Sequence, residues 1–226
     1  MDRRFLGILG AIVIIFIVIF AVVSGGNSNN SGGGSSNAKP TSHMEGQGKA
    51  GVTLVEYGDY ECPICAEYYQ PLKDAVSKYS DQIHFQFRNL PLVSVHPNAF
   101  AAARAAEAAG LQNKYWQMHD KLYENQSSWA GLSDPKSTFD QYAGDIDLNV
   151  TKFDADYTGS QVNSAINGDL DAFKKTHLEQ ATPTFFLDGK AVSNGDLIDK
   201  TGQPSADKIG TVLKAEIDKK TQASKQ

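Results

Sequence analysis

Val52-Thr53-Leu54-Val55-Glu56-Tyr57-Gly58-Asp59-Tyr60-Glu61-Cys62-Pro63-Ile64-Cys65 is the stretch on which the fold turns. Its first six residues are mostly β-branched, aromatic or leucine, the composition of a strand, and Gly58-Asp59 ends the run. From about Cys62 towards Tyr79 the pattern is helical, and Pro71 is expected to kink that helix or end its first half. The two cysteines are the only ones in the 226 residues, and they stand three positions apart where strand gives way to helix. At a helix N-terminus the unpaired backbone N–H groups and the positive dipole end stabilise a thiolate. Such placement lowers a cysteine pKa from about 8.5 towards neutrality or below. Cys62 is therefore expected to be the attacking thiolate. Cys65, nearly one turn later on the same helical edge, would be the deeper sulfur that resolves a mixed disulfide.

Two other uses of the pair stay open at this point. A structural disulfide across so short a loop would restrict the unfolded chain little, and a chain of this length has core enough without it. A zinc site needs four ligands. The five histidines, His43, His84, His96, His119 and His177, offer no pair at three-to-five spacing, and there is no second cysteine pair.

Working outward, Gln82 to Asn89 alternates Ile83, Phe85 and Phe87 with His84, Gln86 and Arg88, the period of a strand with one buried face. Strand, helix and strand at this spacing predict a parallel βαβ unit with a right-handed crossover. The alanine-rich Asn98 to Ala109 predicts a helix stopped by Gly110. Gln112 to Asn125 predicts another, with Tyr115, Met118, His119 and Leu122 at helical spacing. More helix is expected over Asp134 to Ala143 and Thr158 to Leu178. These roughly 90 residues exceed what one crossover needs, so a helical subdomain inserted over about 92–180 is the simplest account. Trp116, His119 and Asp120 could hydrogen-bond, but the Lys114 to Asp120 block is expected to be packing, and His96 before Pro97 is expected to cap a helix or pack. Thr184 to Leu187, the turn Asp188-Gly189 and Lys190 to Ser193 predict a β-hairpin. Ala206 to Lys219 predicts a closing amphipathic helix with Ile209, Val212, Leu213 and Ile217 inward. The domain is thus expected over 51–220, with a tail at 221–226.

Upstream, residues 24–50 are Gly, Ser and Asn with scattered polar residues and almost nothing to bury, the composition of a flexible linker. Phe5 to Val23 is a run of 19 apolar or glycine residues behind Arg3 and Arg4. At about 1.5 Å per residue it reaches the thickness of a bilayer core. Residues 1–23 are therefore expected to be a single-pass membrane anchor with a cytoplasmic N-terminus. A cleaved signal peptide ending near Val22-Val23-Ser24 is the competing expectation, and either one exports the domain. The net charge of −5 offers no basic stripe for phosphates, so nucleic acid is an unsuitable partner.

Three blocks together resemble one family: Glu56 through Cys65, His96-Pro97-Asn98-Ala99 through Lys114-Tyr115-Trp116-Gln117-Met118-His119-Asp120, and Thr182-Pro183-Thr184-Phe185-Phe186. Over about Val52 to Lys219 the chain resembles a DsbA-like extracytoplasmic thioredoxin. The resemblance implies an α/β thioredoxin fold with a helical insertion, and dithiol oxidation of exported bacterial proteins through a Cys62–Cys65 redox disulfide, without metal or cofactor. It implies that Pro183 is a cis-proline facing the sulfurs and that Thr182 before it meets the substrate. It implies that Glu56 is a buried acid relaying the proton of Cys65, since burial raises a carboxyl pKa. A trans proline, a turn threonine and an edge-exposed glutamate are the plain alternatives. Implied partners are exported proteins with free thiols and a membrane quinone-linked reoxidase of the DsbB or vitamin K epoxide reductase type; the protein would act as a monomer at the cell membrane, on the extracytoplasmic side. Two departures bear on this. Ala181 stands where many relatives have glycine, and the Pro63-Ile64 dipeptide lacks the histidine of the strongest oxidants, which points to a less oxidising disulfide. A reductase or isomerase of exported disulfides, and a redox-inert binding protein or chaperone on the same fold, are the rival expectations.

Overall fold

The computed structural model describes residues 38–225. The expected anchor at 1–23 and the linker as far as residue 37 lie outside the described residues. Among those described, no helix is long and apolar enough to cross a membrane. In chain order the elements are β1 (Met44–Glu45), β2 (Val52–Gly58), α1 (Pro63–Tyr79), β3 (Ile83–Asn89), α2 (Ala99–Gly110), α3 (Tyr115–Glu124) and α4 (Gln126–Trp129). They continue as α5 (Lys136–Asp145), α6 (Val150–Tyr157), α7 (Ser160–Lys174), β4 (Thr184–Leu187), β5 (Lys190–Val192) and, after a 3₁₀ turn at Asn194–Asp196, α8 (Ala206–Ala223).

The sheet order is β1-β3-β2-β4-β5. β2 and β3 run parallel, with Val52 opposite Ile83 and Gly58 opposite Asn89, and the other pairings are antiparallel. The expected βαβ unit and the hairpin are therefore both present. Asp188 and Gly189 take φ values of 49° and 77°, the left-handed pair that a two-residue hairpin turn requires. On one sheet face Val52, Leu54 and Phe85 pack with Leu72 of α1 and Ile209 and Leu213 of α8. On the other, Tyr57 and Leu90 meet Phe173 of α7.

The insertion has its own aromatic centre, with Trp129, Phe139 and Phe153 fully buried. Each such ring contributes on the order of 1.5–3 kcal/mol by leaving water. Ala102, Ala105, Ala106 and Ala109 of α2 are also fully buried, and their small side chains let neighbouring helices approach closely. This cluster runs on without a break into Tyr60, Cys62, Cys65 and Phe87, so the insertion and the cysteine loop share one core.

Several expectations are corrected. Residues 38–50 belong to the fold and not to a linker: Met44 and Glu45 pair with Gln86 and Phe85 of β3. Thr41 is buried, and its N–H and hydroxyl both donate to Asp169, the N–H at 2.8 Å. Polar hydrogen bonds, which hydropathy does not reveal, dock this segment. Pro71 does not end the first half of the helix, since α1 runs unbroken across it. The carbonyl freed four residues back belongs to the exposed Glu67, where water can satisfy it, and the burial of Tyr68, Tyr69 and Leu72 favours continuing the helix. Gly110 is the last helical residue, and the turn comes at Asn113, with φ of 60°. The short helices α4 and α6 were not expected. α6 is started by Asn149, whose side chain accepts from the Lys152 N–H. Finally, α8 extends to Ala223 through half of the expected tail.

Candidate active site

Cys62 is the N-cap residue of α1, in extended conformation with φ −67° and ψ 122°. Pro63 follows at the position where a missing N–H costs nothing, because that N–H would have no partner in the helix. The backbone N–H groups of Ile64 and Cys65 are thereby directed at the Cys62 sulfur. Neither cysteine is in a disulfide, and both are buried, at 5% and 1% exposure for Cys62 and Cys65. Ile64 between them is half-exposed.

The Thr182–Pro183 peptide is cis and lies against the sulfur: the Cys62 Sγ–H donates to the Thr182 carbonyl at 3.5 Å. Asn194 fixes this loop, donating from Nδ2 to the Pro183 carbonyl at 3.1 Å and accepting at its own carbonyl from the Tyr68 hydroxyl of α1 at 3.3 Å.

The two thiols are pushed apart in acidity. Cys62 is lowered to about 6, first by a hydrogen bond from the Cys65 side chain and then by Thr182 and the helix-end N–H groups, which together outweigh its burial. At neutral pH it is a thiolate. Cys65 is raised well above the ordinary range by burial first, then by the hydrogen bond it gives Cys62 and by the charge of Glu56. Glu56 is buried on β2, between Phe87 of β3 and Phe185 of β4. Burial, and after it the Cys62 thiolate, lifts its carboxyl to about 8. Gly58 makes the room: a Cβ there would stand 2.4 Å from the Phe87 ring and 3.1 Å from a Glu56 oxygen. The structure thus brings Cys62, Cys65, Thr182, Pro183 and Glu56 together around one dithiol. Such a set can take up and release two electrons with a thiolate as the attacking group and a neighbouring carboxyl to move a proton.

Four supporting residues were given no role at this site by the sequence. Asp59, read only as a strand terminator, is buried and accepts from the Glu61 and Leu92 N–H groups at 2.8 and 2.9 Å. His96, read as capping a helix or packing, sits with its Nδ1 2.8 Å from the Asp59 carboxylate. From the insertion, Gln126 donates through Nε2 to the carbonyls of both Tyr60 and Cys62, at 2.8 and 2.9 Å. Asn194 completes the group. Local patterns do not disclose them, because each acts on a residue distant in sequence. The Lys114 to Asp120 block is also more than packing. Tyr115 and Met118 are core, but His119 and Asp120 line a cavity of about 280 Å³ together with Glu56. Among the described residues no group of three or more His, Cys, Asp or Glu side chains is placed to hold a metal ion.

The family model described as thioredoxin matches residues 38–205. Among solved structures, BdbD from Bacillus subtilis in its oxidised form is similar with a TM-score of 0.65, at 22% identity, over 82% of this chain and 97% of that one. Wolbachia pipientis alpha-DsbA1 gives a TM-score of 0.65 at 20% identity, over 82% of this chain and 96% of that one. A thioredoxin-like oxidoreductase from Silicibacter pomeroyi DSS-3 gives 0.60 at 22% identity, over 80% and 92%. At these identities the likeness is one of fold. Among curated proteins, the Na(+)/H(+) antiporter NhaA 1 of Mycolicibacterium gilvum is 34% identical over 152 residues, 66% of this chain but 23% of that protein. The counterpart from Salinispora arenicola is 36% identical over 148 residues, with 22% of its length covered. The chain therefore spans less than a quarter of those relatives, and ion exchange is not carried over from them.

Proposed function

Because the chain belongs to the thioredoxin family and has the DsbA-like form of its fold, we propose that it catalyses dithiol–disulfide exchange as an oxidase of exported proteins. A substrate thiolate attacks the sulfur of Cys62 in the Cys62–Cys65 disulfide. That S–S bond breaks, a mixed disulfide forms, and Cys65 leaves as a thiolate that takes a proton from Glu56. The substrate's second thiolate then attacks its own sulfur in the mixed disulfide, closing the substrate disulfide and releasing the Cys62 thiolate. Two electrons pass from substrate to enzyme. Turnover then requires an oxidant, for which a membrane quinone-linked reoxidase is the fitting class. The Thr182–Pro183 edge would hold an extended substrate segment beside Cys62. The expected anchor at 1–23 would place the reaction at the outer face of the bacterial cell membrane, with the enzyme as a monomer.

The observation that carries the direction is the acidity of Cys62. A thiol at about 6 instead of 9 favours the dithiol form at pH 7 about tenfold. That is about 1.4 kcal/mol, or roughly 30 mV towards an oxidant. Equilibration of the described domain with glutathione buffers tests this. A potential clearly above the roughly −270 mV of thioredoxin is expected. A value at or below it would make the protein a reductase, and an inability to exchange with glutathione at any poise would remove the enzymatic reading.

A further inference from the structure

The cavity that Glu56 shares with His119 and Asp120 is walled by β1, β2, α1, β3 and α3, and its polar lining includes Glu56, Tyr69, Lys73, His119, Asp120 and Tyr123. Two buried polar atoms in that lining, Nε2 of His119 and the hydroxyl of Tyr123, have no hydrogen-bond partner in the protein. At about 280 Å³ the space far exceeds the roughly 10–15 Å³ that one ordered water needs, and it offers the polar partners that such waters require. Its mouth carries an ion pair. Lys73 Nζ stands 2.8 Å from Asp120 Oδ2, with both side chains partly exposed, and it also donates to the Tyr69 hydroxyl at 2.8 Å. The other oxygen of Asp120 faces His119 Nδ1 at 3.4 Å.

None of Cys62, Ile64, Thr182 or Pro183 lines this cavity. Lys73 lies eleven residues along α1 from Cys62, about 16 Å at the helical rise, so the mouth is well removed from the sulfur that substrate must reach.

We infer that this cavity is a water-filled proton entrance to Glu56, with Lys73 and Asp120 as positioning residues at its mouth, so that Cys65 exchanges its proton with solvent while substrate covers Cys62. The inference rests on the exchange reaction proposed above and adds the route by which its proton travels. When Cys65 leaves as a thiolate, the Glu56 carboxyl gives it a proton, and one proton enters through the cavity waters to restore Glu56. On reoxidation the same proton goes out. No electron passes along this route. His119 is held neutral by burial; with its one N–H on Nδ1 facing Asp120, its Nε2 is an acceptor open to water in the cavity. Despite its own burial, hydrogen bonds from His119 and Lys73 hold Asp120 down at about 2, which keeps a fixed anion beside the Lys73 cation. The Cys62 thiolate bears on Glu56, and Glu56 in turn bears on Cys65, Tyr60, Tyr68 and Tyr123; across the cavity stands the half-buried Glu45 of β1, raised by burial and by Asp120 against the pull of Lys73.

The test is the titration of Glu56 in the dithiol form, followed by carboxyl infrared difference spectra, which reads out whether or not the protein turns over. It is paired with stopped-flow oxidation of a dithiol peptide from pH 6 to 9. Removing the cation in Lys73→Met should raise the Glu56 midpoint, and removing the anion in Asp120→Asn should lower it, each by about half a unit. Both should leave the Cys62 titration in place. Ser77→Phe, at an exposed position on the cavity wall, should slow peptide oxidation several-fold with KM unchanged, and should add no further slowing in the Glu56→Gln background. Glu56 midpoints that do not move in either charge variant, or move in the same direction in both, would overturn the inference. So would an equal effect of Ser77→Phe with and without Glu56. Absence of peptide oxidation in the unaltered protein would instead count against the proposed function, and the opposed midpoint shifts would still decide whether solvent reaches Glu56 by this route.

Discussion

Glu56 is the residue at which stability and chemistry are most directly opposed. Its folded pKa of about 8 lies above the ordinary 4.5, so the folded state holds a proton that the unfolded state releases. Stability from this group is fully present below pH 4.5 and declines as pH rises towards and through 8. Replacing the acid with an isosteric amide removes that dependence. Glu56→Gln should therefore be more stable than the unaltered dithiol form at pH 8.5 by about 4–5 kcal/mol, with the advantage vanishing near pH 4.5. Urea unfolding at the two pH values measures it, and a difference independent of pH would show that Glu56 is not buried as an acid. A residue this costly to ionise is understandable where its proton is needed. The sequence brought Glu56 forward only through family likeness, because a lone glutamate in a strand reads equally as an edge residue. Burial by Phe87, Phe185 and the glycine at 58 separates the two readings.

At the scale of elements, the β2-to-α1 passage was legible because everything it needs is local: a β-rich run, a glycine and an aspartate, then proline at the first helical position. The Asp188-Gly189 hairpin was legible for the same reason. What holds the passage in place was not. Asp59 is fastened to Leu92 and His96, and the Tyr60 and Cys62 carbonyls to Gln126, by contacts spanning 33 to 66 residues. Gln126→Ala would leave two carbonyls of the cysteine loop without their donor and loosen the N-terminal turn of α1. A loss of about 1–2 kcal/mol in stability is expected. The Cys62 pKa should rise as well, by up to about one unit, as the N–H groups of Ile64 and Cys65 lose their aim. Thermal unfolding and thiol titration of that variant check both, and an unchanged thiol pKa would mean that the helix end holds its geometry without the insertion.

In the molecule as a whole, the insertion is not an appendage. Its core is continuous with the cysteine loop, and its helices α2 and α7 also anchor the segment that precedes the sheet. Asp169 is fully buried on α7 and accepts from Thr41 and from the N–H and side chain of Asn89. Glu107 on α2 accepts from Asn89 Nδ2 at 2.7 Å and stands 2.9 Å from His43, whose ring stacks on Tyr115 at 3.5 Å. Gly168 lets the strap pass, since a Cβ there would stand 2.3 Å from the Lys39 carbonyl. This docking was illegible in a stretch rich in Gly and Ser, because Glu107 and Asp169 lie 64 and 128 residues from the groups they hold and the bonds are polar. Asp169→Ala would strand several buried donors and should cost about 3 kcal/mol, lowering Tm by roughly 6–12 °C. Calorimetry of the described domain measures this, and a shift under 2 °C would show the strap to be dispensable.

All of these scales serve one sulfur held as a thiolate at the end of α1. The most direct measurement is the thiolate absorbance near 240 nm of the dithiol protein against pH, repeated in Cys65→Ser to assign the sulfur. A first transition with its midpoint near 6, belonging to Cys62, is the expected result, with no second thiolate until well above pH 9. A first midpoint at the ordinary thiol value of about 8.5, or a first transition carried by Cys65, would contradict the account.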